Sequence, residues 1–349
     1  MKNVLIVNRG HCDNLGDQAI NEAMKNFLIE NFKINAYFSD YTSLYNEPIN
    51  INLKSDKHTL KMKLREMLKI ILPLKLIWLI RNYSRIKGSL SRDIDLVVVG
   101  GGQLILSNTT FDIASATWVF LSKKYKIPIV FSSVGAGTEF NFLNKKLFGY
   151  ALNNADGICV RDIKSRDIIK NVFGLDSQVA GDIVFTEKYI KEKRGNLTLL
   201  GIPCLSVYNT YNDPVSRENY YKIWLSFLQQ NKINLSDCSL FYTTNEDYKE
   251  SVNFKKFLES KNIYDVNILY SQNLILLESL LMESKTVVSG RMHGLILALN
   301  YDCNIIVFPI SSKLQVFKES VEDKNFSITD FKNNIKLKTL SYFNAFFHI

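Results

Sequence analysis

Short unbroken apolar runs alternate along the chain with longer stretches in which apolar residues recur every three to four positions. That alternation is the mark of buried strands interleaved with helices. Val4–Asn8 reads as a buried strand, Arg9–Asp17 as a loop, and Gln18–Asn31 as a helix with Ile20, Met24, Phe27 and Leu28 on one face. Ile34–Asp40 follows as a strand, so the chain opens with a parallel α/β unit. Asp95–Gly102 is a β-branched run entering three glycines, and Ala114–Tyr125 is helical. Ile129–Val134 is a strand entering the turn Gly135-Ala-Gly137. Phe142–Asn153 is a helix, Gly157–Arg161 a strand and Asp162–Phe173 a helix, and Val179–Phe185 closes the series.

A second series follows a polar, charged linker. Its strands are about Leu197–Cys204, Ser239–Thr243, Ile268–Tyr270, Thr286–Ser289 and Ile305–Phe308; its helices are about Ser216–Gln230, Tyr248–Glu259, Leu274–Met282 and Leu295–Leu299. The tail from Ser311 is mixed and ends in aromatics, with a return path across the first series. The expected organisation is a first α/β domain over 1–185, a linker over 186–196, a second α/β domain over 197–310 and a tail over 311–349. The length of 349 residues agrees, because single cores rarely grow past about 300 residues.

Charge narrows the partners. Forty-three basic against 34 acidic residues leave a net charge of +9, which suits an anionic substrate or an anionic lipid surface. Nucleic acid is not expected, since no helix-turn-helix, RNP or zinc-finger pattern is present. The five scattered cysteines contain no CxxC, so neither a metal site nor a disulfide framework is expected, and a reducing cytoplasm fits. Residues 59–87 combine many Lys and Arg with the apolar run Ile70–Ile80. Two readings stay open there: a segment lying in a membrane interface, or a crossover helix with a solvated basic face. No run is long enough to span a bilayer.

The chemistry concentrates in Ser289-Gly-Arg-Met-His-Gly294, a glycine-bracketed turn between a buried strand and an apolar helix. A helix N-terminus there offers backbone N–H groups to an anion, with Gly290 and Met292 in the turn. Arg291 adds a planar fork suited to a carboxylate or phosphate, and His293 a group able to carry a proton near neutral pH. The alternative pairs Arg291 with a distant carboxylate and leaves His293 a satisfied interior histidine. Arg161 is a second cation at a strand-to-helix turn, either facing the ligand or bonded to Asp162 or Asp167. In Asn14-Leu-Gly-Asp17 the aspartate either caps the helix or meets a ligand.

Four stretches together resemble the polysaccharide pyruvyl transferase family: Asn14-Leu-Gly-Asp17, Val97-Val-Val-Gly-Gly-Gly102, Val160-Arg-Asp162 with Ser165, and Ser289-Gly-Arg-Met-His-Gly294. The resemblance implies two Rossmann-like domains in a glycosyltransferase-B-like arrangement, with ligands in the cleft between them. It implies phosphoenolpyruvate as donor substrate, no cofactor or metal, and a sugar or lipid-linked oligosaccharide as acceptor, in bacterial surface-polysaccharide synthesis. Carried over, His293 is the catalytic histidine and Arg291 the donor-binding arginine, with Arg161 also facing the donor. Asp17 is the candidate base. Gly290, Met292, Asn14, Gly101 and Gly102 complete the expected contacts. Gln18 stands where the family often has an acid, and the Gly135–Gly137 turn lacks the proline of many relatives. The rival readings are a nucleotide-sugar glycosyltransferase on the same scaffold and a non-catalytic member of an assembly complex. The sequence allows a homo-oligomer and a cytoplasmic protein at the inner membrane face.

Overall fold

A computed structural model of the chain describes residues 1–42, 74–107, 110–188 and 195–347. The first half runs β1 (Asn3–Asn8), α1 (Leu15–Phe32), β2 (Asn35–Asp40), α2 (Leu74–Leu90), β3 (Leu96–Ile105), α3 (Phe111–Lys124), β4 (Ile129–Ala136), α4 (Phe142–Asn153), β5 (Gly157–Val160), α5 (Ile163–Phe173) and β6 (Gln178–Val179). The second runs β7 (Leu197–Gly201), α6 (Leu205–Tyr211), α7 (Arg217–Gln230), β8 (Cys238–Phe241), α8 (Asn245–Glu259), β9 (Asn267–Ile268), α9 (Leu274–Met282), β10 (Ser284–Ser289), α10 (Met292–Asn300), β11 (Asn304–Val307), α11 (Ser312–Val321) and α12 (Ile328–Phe347).

Every strand pairing is parallel. The sheets are ordered β2-β1-β3-β4-β5-β6 and β11-β10-β7-β8-β9. Parallel strands covered on both faces must be apolar throughout, which is why β1, β3 and β4 are continuous buried runs. Helices α2, α3, α4 and α5 bury Trp78, Trp118, Phe148 and Ile169 on one face of the first sheet. On its other face α1 packs with the final helix: Phe343 and Phe347 join Phe27, and the Phe347 ring stacks on Phe32 with centroids 4.4 Å apart.

Helix α12 therefore leaves the second half and lies on the first sheet. Its Tyr342 hydroxyl donates to the Phe131 carbonyl of β4 (2.8 Å), and the Lys2 ammonium donates to the Phe346 carbonyl (3.0 Å). The sequence shows a mixed tail here, and the structure a 20-residue helix whose apolar side is aromatic. The crossover between β2 and β3 includes α2, where Trp78 is turned inward and its indole N–H donates to the Thr42 carbonyl (2.8 Å). Leu76 and Ile80 remain exposed on its outer side. Residues 59–73 of the basic apolar stretch lie outside the described residues, as does most of the charged linker. Among the described residues no helix is long and apolar enough to cross a membrane.

The triple glycine lies inside a strand. Strand β3 does not turn at Gly100 but continues to Ile105 through a bulge, with Gly101 and Gly102 at φ +71° and +74°. A side chain at Gly101 would strike Ile20 of α1, its Cβ lying 1.9 Å from Cγ2. These glycines kink a buried strand and admit α1, and a Cβ on Gly102 would lie 3.6 Å from the Asp17 carboxylate at the cleft wall.

Candidate active site

The carboxyl edges of the two sheets face one another, the position where open α/β sheets hold ligands. Between them lies a cavity of about 250 Å³, small for a ligand pocket. The loops after β1, β3 and β5 line it from one side. The loops after β8, β10 and β11 line it from the other.

The first loop and the His293 turn are built to touch. Asn14 caps α1, its side chain accepting from the Gly16 N–H (3.0 Å), so Asp17 is not the cap. A Cβ on Gly16 would lie 2.7 Å from His293 Cβ and 2.8 Å from Nδ1, which requires glycine at this position. Backbone bonds fasten the contact: Leu15 N–H donates to the Thr243 carbonyl, and Asn245 N–H to the Asp13 carboxylate, both at 2.9 Å. Asp17 borders the cleft one residue beyond Gly16 and accepts the Cys12 thiol (3.3 Å). Asn14, Gly290 and Met292 also line the cleft.

Arg291 reaches the cleft, but one edge of its fork is spent. Nε and Nη2 donate to the two oxygens of Asp247 at 2.9 and 2.5 Å. Asp247, at the start of α8, also accepts the Cys204 N–H (3.0 Å) and the Thr243 hydroxyl (3.1 Å). Burial works against the Arg291 charge, yet the adjoining carboxylate outweighs it and raises the pKa. The distant carboxylate allowed by the sequence is therefore real, and this arginine fastens the His293 turn to α8. An anion in the cleft would meet only the remainder of its fork.

Arg161 lines the opposite wall of the cleft. Its side chain is 3% exposed and lies against Gly135, where a Cβ would come within 2.8 Å of Nε. Nε donates to Asp162 (3.2 Å), while Asp167 pairs instead with Arg166. Nη1 stands 3.7 Å from Asp182 and has no hydrogen-bond partner among the described residues. A buried donor without a partner is uncommon in folded proteins and marks this arginine as a candidate binding group.

Beside it Lys313 enters from the first turn of α11. Burial, then the nearby Arg161 charge, push its pKa down to about 7, partly offset by Asp182, Asp162 and Asp17. The sequence reading missed Lys313, Asp182 and Asp247. Lys313 falls in the mixed tail, and the two aspartates meet their partners only through the fold. Among the described residues no cluster of His, Cys, Asp and Glu could hold a metal ion.

The family model for polysaccharide pyruvyl transferase matches residues 14–312. No curated protein sequence matches the chain. Among solved structures, the chain is similar to UDP-GlcNAc 2-epimerase from Neisseria meningitidis bound to UDP-GlcNAc (TM-score 0.53, 13% identity, 99% of this chain and 93% of that one). It is also similar to UDP-GlcNAc 2-epimerase from Methanocaldococcus jannaschii (TM-score 0.51, 14% identity, 98% of this chain and 92% of that one). At such identities the likeness is one of fold: two Rossmann-like sheets in a glycosyltransferase-B-like arrangement.

Proposed function

The chain belongs to the polysaccharide pyruvyl transferase family, and from that premise we propose that it moves the three carbons of phosphoenolpyruvate onto a sugar hydroxyl pair as a pyruvate ketal, in bacterial surface-polysaccharide synthesis. The observation that carries the reading is the convergence of a proton-bearing side chain, His293, with two cations, Arg161 and Lys313, in one small cleft. Phosphoenolpyruvate carries a phosphate and a carboxylate on a compact enol, and such a ligand needs two cationic contacts within a few ångströms of an acid. The Arg161 guanidinium, whose Nη1 has no hydrogen-bond partner among the described residues, and the Lys313 ammonium supply the first requirement. The amides opening α10 add to it.

The steps follow from the residues present. The His293 imidazolium gives its proton to the enol methylene, the C=C electron pair forms the new C–H bond, and the adjacent carbon becomes oxocarbenium-like. A sugar hydroxyl adds to that carbon and passes its proton to a base, for which Asp17 is placed at the same wall. The C–O bond to phosphate then breaks, and phosphate departs against Arg161 and Lys313. The second hydroxyl adds and gives its proton to the now neutral His293, closing the ketal and restoring the imidazolium. Fixed positive charge facing the leaving group lowers the barrier to its departure.

The test is an acceptor screen with phosphoenolpyruvate, read by the mass gain of the glycan and by released phosphate. Glycan modification with stoichiometric phosphate is expected. Stabilisation by UDP with none from phosphoenolpyruvate, and no phosphate release with any acceptor, would overturn the reading in favour of a nucleotide-sugar enzyme.

Lys313 adds a pH dependence. Its ammonium is charged below about pH 7 and neutral above, so donor affinity should fall as pH rises through that value. Bound anion favours the charged form and moves the fall to higher pH. Binding titrations across pH 6–9 should show the decline in the wild type and a flatter profile in Lys313→Arg, since a guanidinium stays charged.

A further inference from the structure

His293 belongs to the second half of the molecule, and its hydrogen-bond partner belongs to the first. His293 Nε2 lies 3.3 Å from Oδ2 of Asp182, which is 6% exposed. The carboxylate is held from several directions. Its Oδ1 accepts the Val184 N–H (3.2 Å) in the short 3-10 turn Ile183–Thr186. The preceding Gly181 has φ +137°, and a Cβ there would lie 2.5 Å from Ile335 of α12. Ser133, itself left-handed at φ +57°, donates its hydroxyl to the Gly181 carbonyl (2.7 Å) and accepts the Ile183 N–H (2.8 Å). One strained residue, a glycine that a side chain would displace and two hydroxyl bonds thus fix one carboxylate at the edge of the cleft. A residue that only capped a short turn would not need that support.

We propose that Asp182 is a positioning residue for the transfer: it takes the Nε2–H of His293, leaves Nδ1 to carry the mobile proton, and holds the ring in that orientation over Gly16. Nδ1 lies over Gly16, where Asn14, Gly16 and Asp17 line the cleft. The inference rests on the pyruvyl-transfer reading for the proton's destination, but not for the pairing itself.

The other charges around the ring set the balance. Asp17 stands on α1 beyond Gly16. Arg161 shares the Asp182 carboxylate, Lys313 enters from α11, and Arg291 on the ring's own turn is neutralised by Asp247. Asp182 is buried, yet His293, and next Arg161, hold its carboxyl below the usual range. A phosphate drawing on Arg161 would weaken that arginine's claim on Asp182 and leave more of the carboxylate's charge to His293. Donor binding would then load the proton it is about to receive.

The experiment is nitrogen-detected NMR titration of the histidines in the full chain, wild type against Asp182→Asn. The asparagine can still accept Nε2–H and cap the turn, so it removes charge with little change of shape. The His293 midpoint is expected to fall by about one pH unit, a tenfold loss of proton affinity. The alkaline limb of the turnover profile should move down with it. A folded Asp182→Asn protein with an unmoved His293 midpoint overturns the proposal, whatever its activity. If the variant does not fold, the carboxyl carbon shift of Asp182 in the wild type decides: it must show a second step at the His293 midpoint, and a single step overturns the pairing. A coupled pair in a protein inert toward phosphoenolpyruvate would leave this proposal standing and sink only the donor assignment.

Discussion

His293→Ala is expected to reduce turnover by about 10²- to 10⁴-fold, the contribution of one well-placed general acid. The fold should survive. The ring makes one side-chain hydrogen bond, and Asp182 keeps Arg161 and the Val184 N–H after its removal. A stability change of about 1 kcal/mol, the net worth of one hydrogen bond, is expected. Phosphate release with a productive acceptor measures the first effect and thermal melting the second. Near wild-type release from a folded His293→Ala protein would remove this residue from the chemistry and with it the proposed proton delivery.

Arg291→Ala should be a different kind of variant. Asp247 is 1% exposed, and its bidentate partner is the only cation the structure gives it among the described residues. Removing one member of a buried pair strands the other and costs about 3–5 kcal/mol. The expected result is a large drop in the urea midpoint, with activity lost as a consequence. Arg291→Ala/Asp247→Ala should recover part of the stability, because no charge is then left alone. Unchanged melting together with abolished donor affinity would show that Arg291 acts mainly as a ligand-binding arginine.

The contrast between these residues shows what could be read from the chain. His293 and Arg291 stand two positions apart in one recognisable turn, and the turn is where the sequence places it. Their partners are not local. Asp182 lies 111 positions before His293 and Asp247 lies 44 before Arg291. No periodicity announces such pairings. Strands such as β3 and β4 were legible because doubly covered strands must be apolar. The glycines of β3 could not be assigned from the chain alone, because a bulge and a turn ask for the same residue. Gly16 and Gly135 carried more information than their spacing suggested, one making room for His293 and the other for the Arg161 guanidinium. Lys313 was hidden because a lone lysine in a mixed segment has no pattern until α11 brings it to the cleft.

The last helix has a consequence for biosynthesis. Ile335, Tyr342, Phe343 and Phe347 cover the α1 side of the first sheet, and Gly157 and Gly181 leave room for that helix's side chains. During synthesis that face is covered by α1 alone until residues 328–347 have been made, so the first sheet reaches its native burial only after every strand of the second sheet has been translated.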